Sequence, residues 1–143
     1  DYHERTMKQL TLVVLSALLM LACSEAQAPL TASDVVVTRS VPGMPMSAGY
    51  FKLTNNSRQA ISISRVTSPQ FASGQMHQTI IKDEVARMGP REMLILQPGE
   101  IVSFEPGGKH LMLMRPADDI ESVTLTFFAG ESLLLSVNTD FDR

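Results

Sequence analysis

Histidine and methionine are the residue types in this sequence whose spacing could support chemistry. The chain has 143 residues, with 9 Met, 3 His and 1 Cys. In its main body each histidine lies close to methionine, since His77 follows Met76 and His110 precedes Met112 and Met114. Residues two apart on an extended strand face the same side. A strand over the second segment would therefore direct one imidazole and two thioethers toward one point in space.

These donor atoms indicate which metal such a site would hold. Thioether sulfur is soft, imidazole nitrogen is borderline and both are neutral, so together they favour the soft monocation Cu(I). Zinc prefers cysteine, histidine and carboxylate, and blue-copper sites need a cysteine thiolate. The single cysteine, Cys23, lies in the N-terminal segment. We expect a second strand or loop that carries His77 and Met88 to complete a Cu(I) site. Methionine at strand spacing is also a common core filler, so packing remains the alternative.

The elements that would position these residues are predicted to be β-strands. Short runs of alternating apolar and polar residues recur after Leu30, and no stretch after this residue keeps helical periodicity for about 12 residues. Turn clusters rich in Gly, Pro and Asn separate the runs. The predicted strands are 34–39, 49–54, 60–66, 75–82, 93–97, 101–105, 110–114, 122–128 and 132–137. This pattern predicts one all-β domain over residues 33–140, a β-sandwich or Greek-key β-barrel.

The N-terminal 28 residues are predicted to lie outside this domain. Met7 is the expected start of translation, and the apolar run 10–21 is shorter than the roughly 20 residues that span a bilayer. The run resembles the apolar region of a secretory signal peptide. The residues before Cys23 resemble a lipobox, which would make that cysteine a lipid anchor; ordinary cleavage after Ala26 is the alternative. In both cases the expected location is the periplasm.

Composition and motifs exclude several classes of function. The net charge of −3 offers no basic excess for binding nucleic acid. The sequence lacks a G-x-S-x-G elbow, a G-x-G-x-x-G loop and a P-loop. A cysteine nucleophile is excluded from the main body. We therefore predict a binding protein and not an enzyme.

The spacing of four residues adds a resemblance to a known family. Ten residues separate His77 from Met88, twenty-one separate Met88 from His110, and one separates His110 from Met112. This order matches the H-x10-M-x21-H-x-M signature of the PCu(A)C family of periplasmic copper chaperones. The segments 48–55 and 106–114 also resemble the family, and the resemblance extends over residues 35–137.

The resemblance implies a cupredoxin-like Greek-key β-barrel in which the four signature residues bind Cu(I). It also implies delivery of copper to the Cu(A) subunit of cytochrome c oxidase, together with Sco-type proteins. Two alternatives remain: a periplasmic copper buffering or resistance protein, and a metal-free β-sandwich interaction module. Met44 and Met46 lie outside the signature and would either pass copper inward or pack.

Overall fold

Eleven β-strands form the whole fold in the computed structural model, which describes residues 26–142. The predictions for the leader, including Met7 and the Cys23 lipobox, fall on residues outside this range. The strands are β1 (Leu30–Thr38), β2 (Met46–Asn55), β3 (Ile61–Ile63), β4 (Arg65–Thr67), β5 (Phe71–Lys82), β6 (Val85–Pro90), β7 (Leu94–Leu96), β8 (Ile101–Phe104), β9 (Lys109–Pro116), β10 (Ser122–Ala129) and β11 (Ser132–Asp142). The all-β prediction is confirmed, and the strands extend beyond both ends of the predicted range 33–140. Residues 26–142 form no helix that could span a bilayer.

The strands form one long sheet and one short ribbon that pack into a single β-sandwich domain. The long sheet has the order β4-β10-β11-β1-β2-β8-β9-β5-β6, and β3 pairs with β7 in the ribbon. Most neighbours are antiparallel, but β1 pairs with β11 in parallel through Val37 and Phe141. Strands distant in sequence therefore become neighbours, and β9 lies between β2 and β5.

The core lies on one face of β9 and its neighbours. Leu111 and Leu113 are fully buried, and Phe51 on β2 stacks on Phe104 with ring centroids 4.5 Å apart. Phe127 meets the same Phe51 ring edge-on at 5.3 Å. Because side chains alternate along a strand, burying the two leucines turns the residues between them to the opposite face.

The predicted single strand 60–66 is wrong, because the chain changes sheets at Ser64. β3 pairs with β7, whereas β4 pairs with β10. The Ser64 amide donates to the Phe128 carbonyl at 2.9 Å, and its Oγ accepts from the Gly130 amide at 2.9 Å. These bonds occupy backbone groups where the pairing with β7 ends. The alternation of apolar and polar residues continues through Ser64, although the partner strand changes from β7 to β10.

Strand β6 was not predicted from the sequence. It pairs with β5 across a two-residue turn in which Asp83 and Glu84 have φ values of 52° and 61°. Positive φ at both central residues suits the right-handed twist of a hairpin. The usual sequence signal of such a turn is Asn-Gly, which Asp83-Glu84 does not match. The strand itself is exposed along most of its length and ends in Gly89 and Pro90, so it shows no alternation. This unpredicted strand carries Met88.

Candidate metal centre

The two histidines lie directly opposite one another on neighbouring strands. β5 and β9 are antiparallel, and their register pairs His77 with His110. The imidazole centroids are 5.7 Å apart, with the ring planes inclined at 47°. Directly opposed residues of an antiparallel pair share a face of the sheet. The structure therefore brings together two residues that are far apart in sequence.

Met112 lies on the same face as His110. The intervening Leu111 is fully buried in the core, whereas Met112 is partly exposed. Met112 is opposite Ala48 on β2 and Gln75 on β5. The alternation expected from the sequence is therefore present, and it directs this thioether away from the core.

Met88 reaches the same face from the edge of the sheet. The β5–β6 register pairs Thr79 with Met88 and His77 with Pro90. Since Thr79 is two residues from His77, Met88 and His77 are on one face. Met88 is 67% exposed. All four residues predicted from the spacing thus share one sheet face, with Met88 at its solvent side.

A groove of about 420 Å³ opens on this face. Its lining includes Met88, His110 and Met112, together with Met44 and Met46. His77 lies beside the groove, adjacent to His110, and is not part of the lining. In the part of the chain that the structure describes, no group of three or more His, Cys, Asp or Glu side chains could hold a metal ion.

Hydrogen bonds orient both imidazole rings. His110 Nδ1 donates to the Gly108 carbonyl at 3.2 Å, and His77 Nε2 donates to Gln75 Oε1 at 3.2 Å. Both acceptors are carbonyl oxygens, so the ring nitrogens must carry the protons. Each neutral ring then keeps a lone pair on its other nitrogen. In His77 that atom, Nδ1, is buried and has no hydrogen-bond partner among residues 26–142.

The surroundings of His77 favour its neutral form. Burial lowers the pKa of His77 from its ordinary value of 6.5, and the neighbouring charge of His110 lowers this pKa further. Desolvation and a second imidazole both disfavour the imidazolium. A neutral ring with an unpaired lone pair is in the protonation state that a metal ion binds.

Comparison with known proteins identifies the family. The model of the LpqE-like family, a family named for a lipoprotein, matches residues 30–139.

The chain belongs to the LpqE-like family.

Among curated relatives, it is 31% identical over 96 residues to the uncharacterized protein RP573 of Rickettsia prowazekii. The match covers 64% of this chain and 53% of RP573, so the chain spans about half the length of that relative.

Solved structures confirm the predicted fold. The copper-bound PCuAC domain from PmoF2 superposes with a TM-score of 0.65 at 16% identity, over 82% of this chain and 96% of that domain. Apo-DR1885 from Deinococcus radiodurans superposes with a TM-score of 0.53 at 25% identity, over 82% of each chain. The Cu(I) form of DR1885 superposes with a TM-score of 0.55 at 24% identity, over 85% of this chain and 83% of that chain. This chain therefore has the PCuAC fold.

Two features of the site were missed by sequence reasoning. Gln75 was not identified as the partner of His77, although a residue two positions away on a strand is within reach. The sequence shows Met44 and Met46 but does not decide whether they reach the site. The folded chain places both in the groove lining.

Proposed function

We propose that this protein is an exported Cu(I) chaperone that holds the ion with His77, Met88, His110 and Met112. The observation that carries the proposal is the His77–His110 pair, in which each ring has one nitrogen engaged in a hydrogen bond and the Nδ1 lone pair of His77 has no partner among residues 26–142. Thioethers on the same sheet face complete a neutral, soft donor set. Such a set suits Cu(I) better than zinc, calcium or magnesium.

The separation of the rings supports binding of one ion by both histidines. Metal–nitrogen bonds of about 2 Å allow two imidazoles on one ion to have centroids roughly 6 Å apart. The observed separation of 5.7 Å between the His77 and His110 centroids agrees with this value. Gln75 and the Gly108 carbonyl correspond to the outer hydrogen-bond partners that usually fix the orientation of metal-binding histidines.

Exposure of Met88 supports release of the ion by ligand exchange. Met88 is on the edge strand and is 67% exposed, whereas His110 is buried. A ligand atom of the protein that receives the copper can displace the Met88 thioether without opening the core. The ion remains Cu(I) throughout, no electron moves, and no thiolate has to be protonated. A site of uncharged ligands can therefore both hold Cu(I) and pass it on.

For the physiological role, we propose export to the periplasm and delivery of copper for the Cu(A) site of cytochrome c oxidase, with Sco-type proteins as partners. Membership of a family named for a lipoprotein supports export, with Cys23 as the expected anchor. The names of the copper-bound PCuAC domain and of Cu(I)-DR1885 support copper as the cargo. Deletion of the gene should lower oxidase activity; loss of copper tolerance alone would instead indicate buffering.

A competition titration with a chromophoric Cu(I) chelator tests the site. We expect one tightly bound Cu(I) in the parent chain, and His110→Ala and Met112→Ala should each weaken binding by at least about tenfold, or roughly 1.4 kcal/mol. Met93→Leu is the matched control, because Met93 is half exposed and does not line the groove.

Acid should also weaken the parent's Cu(I) affinity, because a protonated imidazole cannot ligate. The affinity is measured between pH 7.5 and about 5.5. A constant affinity across that interval contradicts ligation by two histidines. Binding that is unaffected by both alanine variants contradicts the whole site, and a metal-free interaction module becomes the better interpretation.

A further inference from the structure

Two methionines outside the four-residue set lie in the same groove. Met46 begins β2 and is opposite Met114 of β9, while Met44 precedes it by two residues. Both line the groove together with Met112. Met112 and Met46 are diagonal neighbours across the β2–β9 pair, since Met112 is opposite Ala48. Diagonal positions remain within reach of long side chains.

The turn that carries Met44 is built to hold one conformation. Pro42 precedes Gly43, whose φ is +87°, and the Met44 amide donates to the Val41 carbonyl at 2.9 Å. Proline followed by a positive-φ glycine is the preferred sequence of a type II turn. The Pro45 carbonyl then accepts from the Arg115 amide of β9 at 2.8 Å. Met44 is therefore presented by a segment anchored on both sides.

These two methionines lie outside the buried core. Met44 is 50% exposed, and Met46 is partly exposed. Neither belongs to the buried core, in which Met76 does serve as a filler. Because hydrophobic stabilisation depends on the area removed from water, the half-exposed side chain of Met44 contributes little to it. Both thioethers instead line the groove.

The groove lining carries little charge that is free to act on an ion. The described lining residues include no carboxylate, which is the charged ligand that hard divalent ions usually take. Arg39 is the cationic residue of the lining. Its guanidinium donates to the Ile120 carbonyl at 3.1 Å and lies 4.5 Å from the Phe141 ring centroid. Neither Ile120 nor Phe141 lines the groove, so this charge is engaged elsewhere.

We propose that Met44, Met46 and Met112 form a thioether-only transfer station for Cu(I), next to the His77–Met88–His110–Met112 site. Met112 belongs to both positions, so the groove holds one ion at a time. The inference rests on the proposed function and adds the route along which the ion moves. In this step the Met44 and Met46 sulfurs form bonds to Cu(I), and the two imidazoles and Met88 release it. Copper remains monovalent, and no proton or electron is required.

The test uses Ag(I), a redox-inert soft monocation, and the full chain with its methionine methyl groups labelled with ¹³C. A His77→Ala/His110→Ala variant removes the imidazole ligands. We expect Ag(I) still to shift the methyl resonances of Met44, Met46 and Met112 in this variant. Adding Met44→Leu and Met46→Leu should abolish that residual binding, since leucine has a similar volume but no donor sulfur. Met93→Leu, at the same 50% exposure as Met44, is the control.

A kinetic arm measures transfer of Cu(I) from the otherwise unaltered chain to a chelator. Met44→Leu/Met46→Leu should slow transfer roughly tenfold, a change that corresponds to about 1.4 kcal/mol in the barrier. Unshifted Met44 and Met46 resonances, or a transfer rate equal to that of Met93→Leu, would overturn the station while leaving the four-ligand site intact. A parent chain that binds no Cu(I) overturns the proposed function and the station together.

Discussion

Gly74 allows β5 to approach β4 closely, and replacing it should destabilise the fold. A Cβ atom added at Gly74 would lie 2.7 Å from the Val66 carbonyl oxygen and 3.4 Å from Leu113 Cδ2. The first distance is about 0.7 Å short of ordinary contact. Val66 is buried and paired with Phe127 of β10, so its carbonyl cannot move without shifting β4. Gly74→Ala therefore has to separate the two strands or distort one of them.

The size of the effect follows from two opposing terms. Overpacking a well-packed interior typically costs about 1–3 kcal/mol. Replacing glycine by alanine also restricts the unfolded chain, which contributes roughly 0.4–1 kcal/mol in the other direction. We expect Gly74→Ala to lower the free energy of unfolding by about 1–2 kcal/mol. Gly89→Ala is the matched control, because a Cβ there meets nothing within 4 Å and Gly89 is not a positive-φ glycine.

Urea unfolding of the apo-protein measures both variants, with circular dichroism as the signal. With a slope of about 1–3 kcal/mol per molar urea, the midpoint of Gly74→Ala should fall by roughly 1 M. The midpoint of Gly89→Ala should stay unchanged or rise. A Gly74→Ala midpoint at or above that of Gly89→Ala would refute the close approach of β4 and β5.

Three further predictions concern the site. Gln75→Leu should weaken Cu(I) binding about 10–100-fold, as loss of an outer-shell partner does; Gln75→Glu keeps an oxygen acceptor and should restore most of it in the same titration. Met88→Leu should change the free energy of unfolding by less than about 0.5 kcal/mol because the residue is exposed, yet weaken Cu(I) binding, as chemical unfolding and chelator competition will show. The pKa of His77 in the folded protein is lowered below its ordinary value of 6.5. As the pH falls below 6.5, the unfolded state therefore binds more protons than the folded state. The apo-protein should therefore be most stable above pH 6.5 and lose stability toward the folded pKa; replacing His77 with Gln should reduce this loss in urea titrations.

The face of β9 that carries the site could be predicted from local sequence. Leu111 and Leu113 alternate with His110 and Met112, and burying the leucines in the core directs the other set to the opposite face of the sheet. The spacing of the four predicted ligands was also readable, as was the all-β class. Their assignment as Cu(I) ligands remains a proposal for titration to test.

Long-range pairing was beyond the sequence alone. Nothing local shows that His77 is opposite His110, because register depends on how distant hydrophobic faces are buried together. The change of partner at Ser64 and the exposed strand that carries Met88 have the same origin. Periodicity is a property of neighbouring residues, and so the sequence by itself determined which side chains share a face of a strand. Only the tertiary structure decided which strands meet, and thereby placed Met44 and Met46 in the groove that His110 and Met112 line.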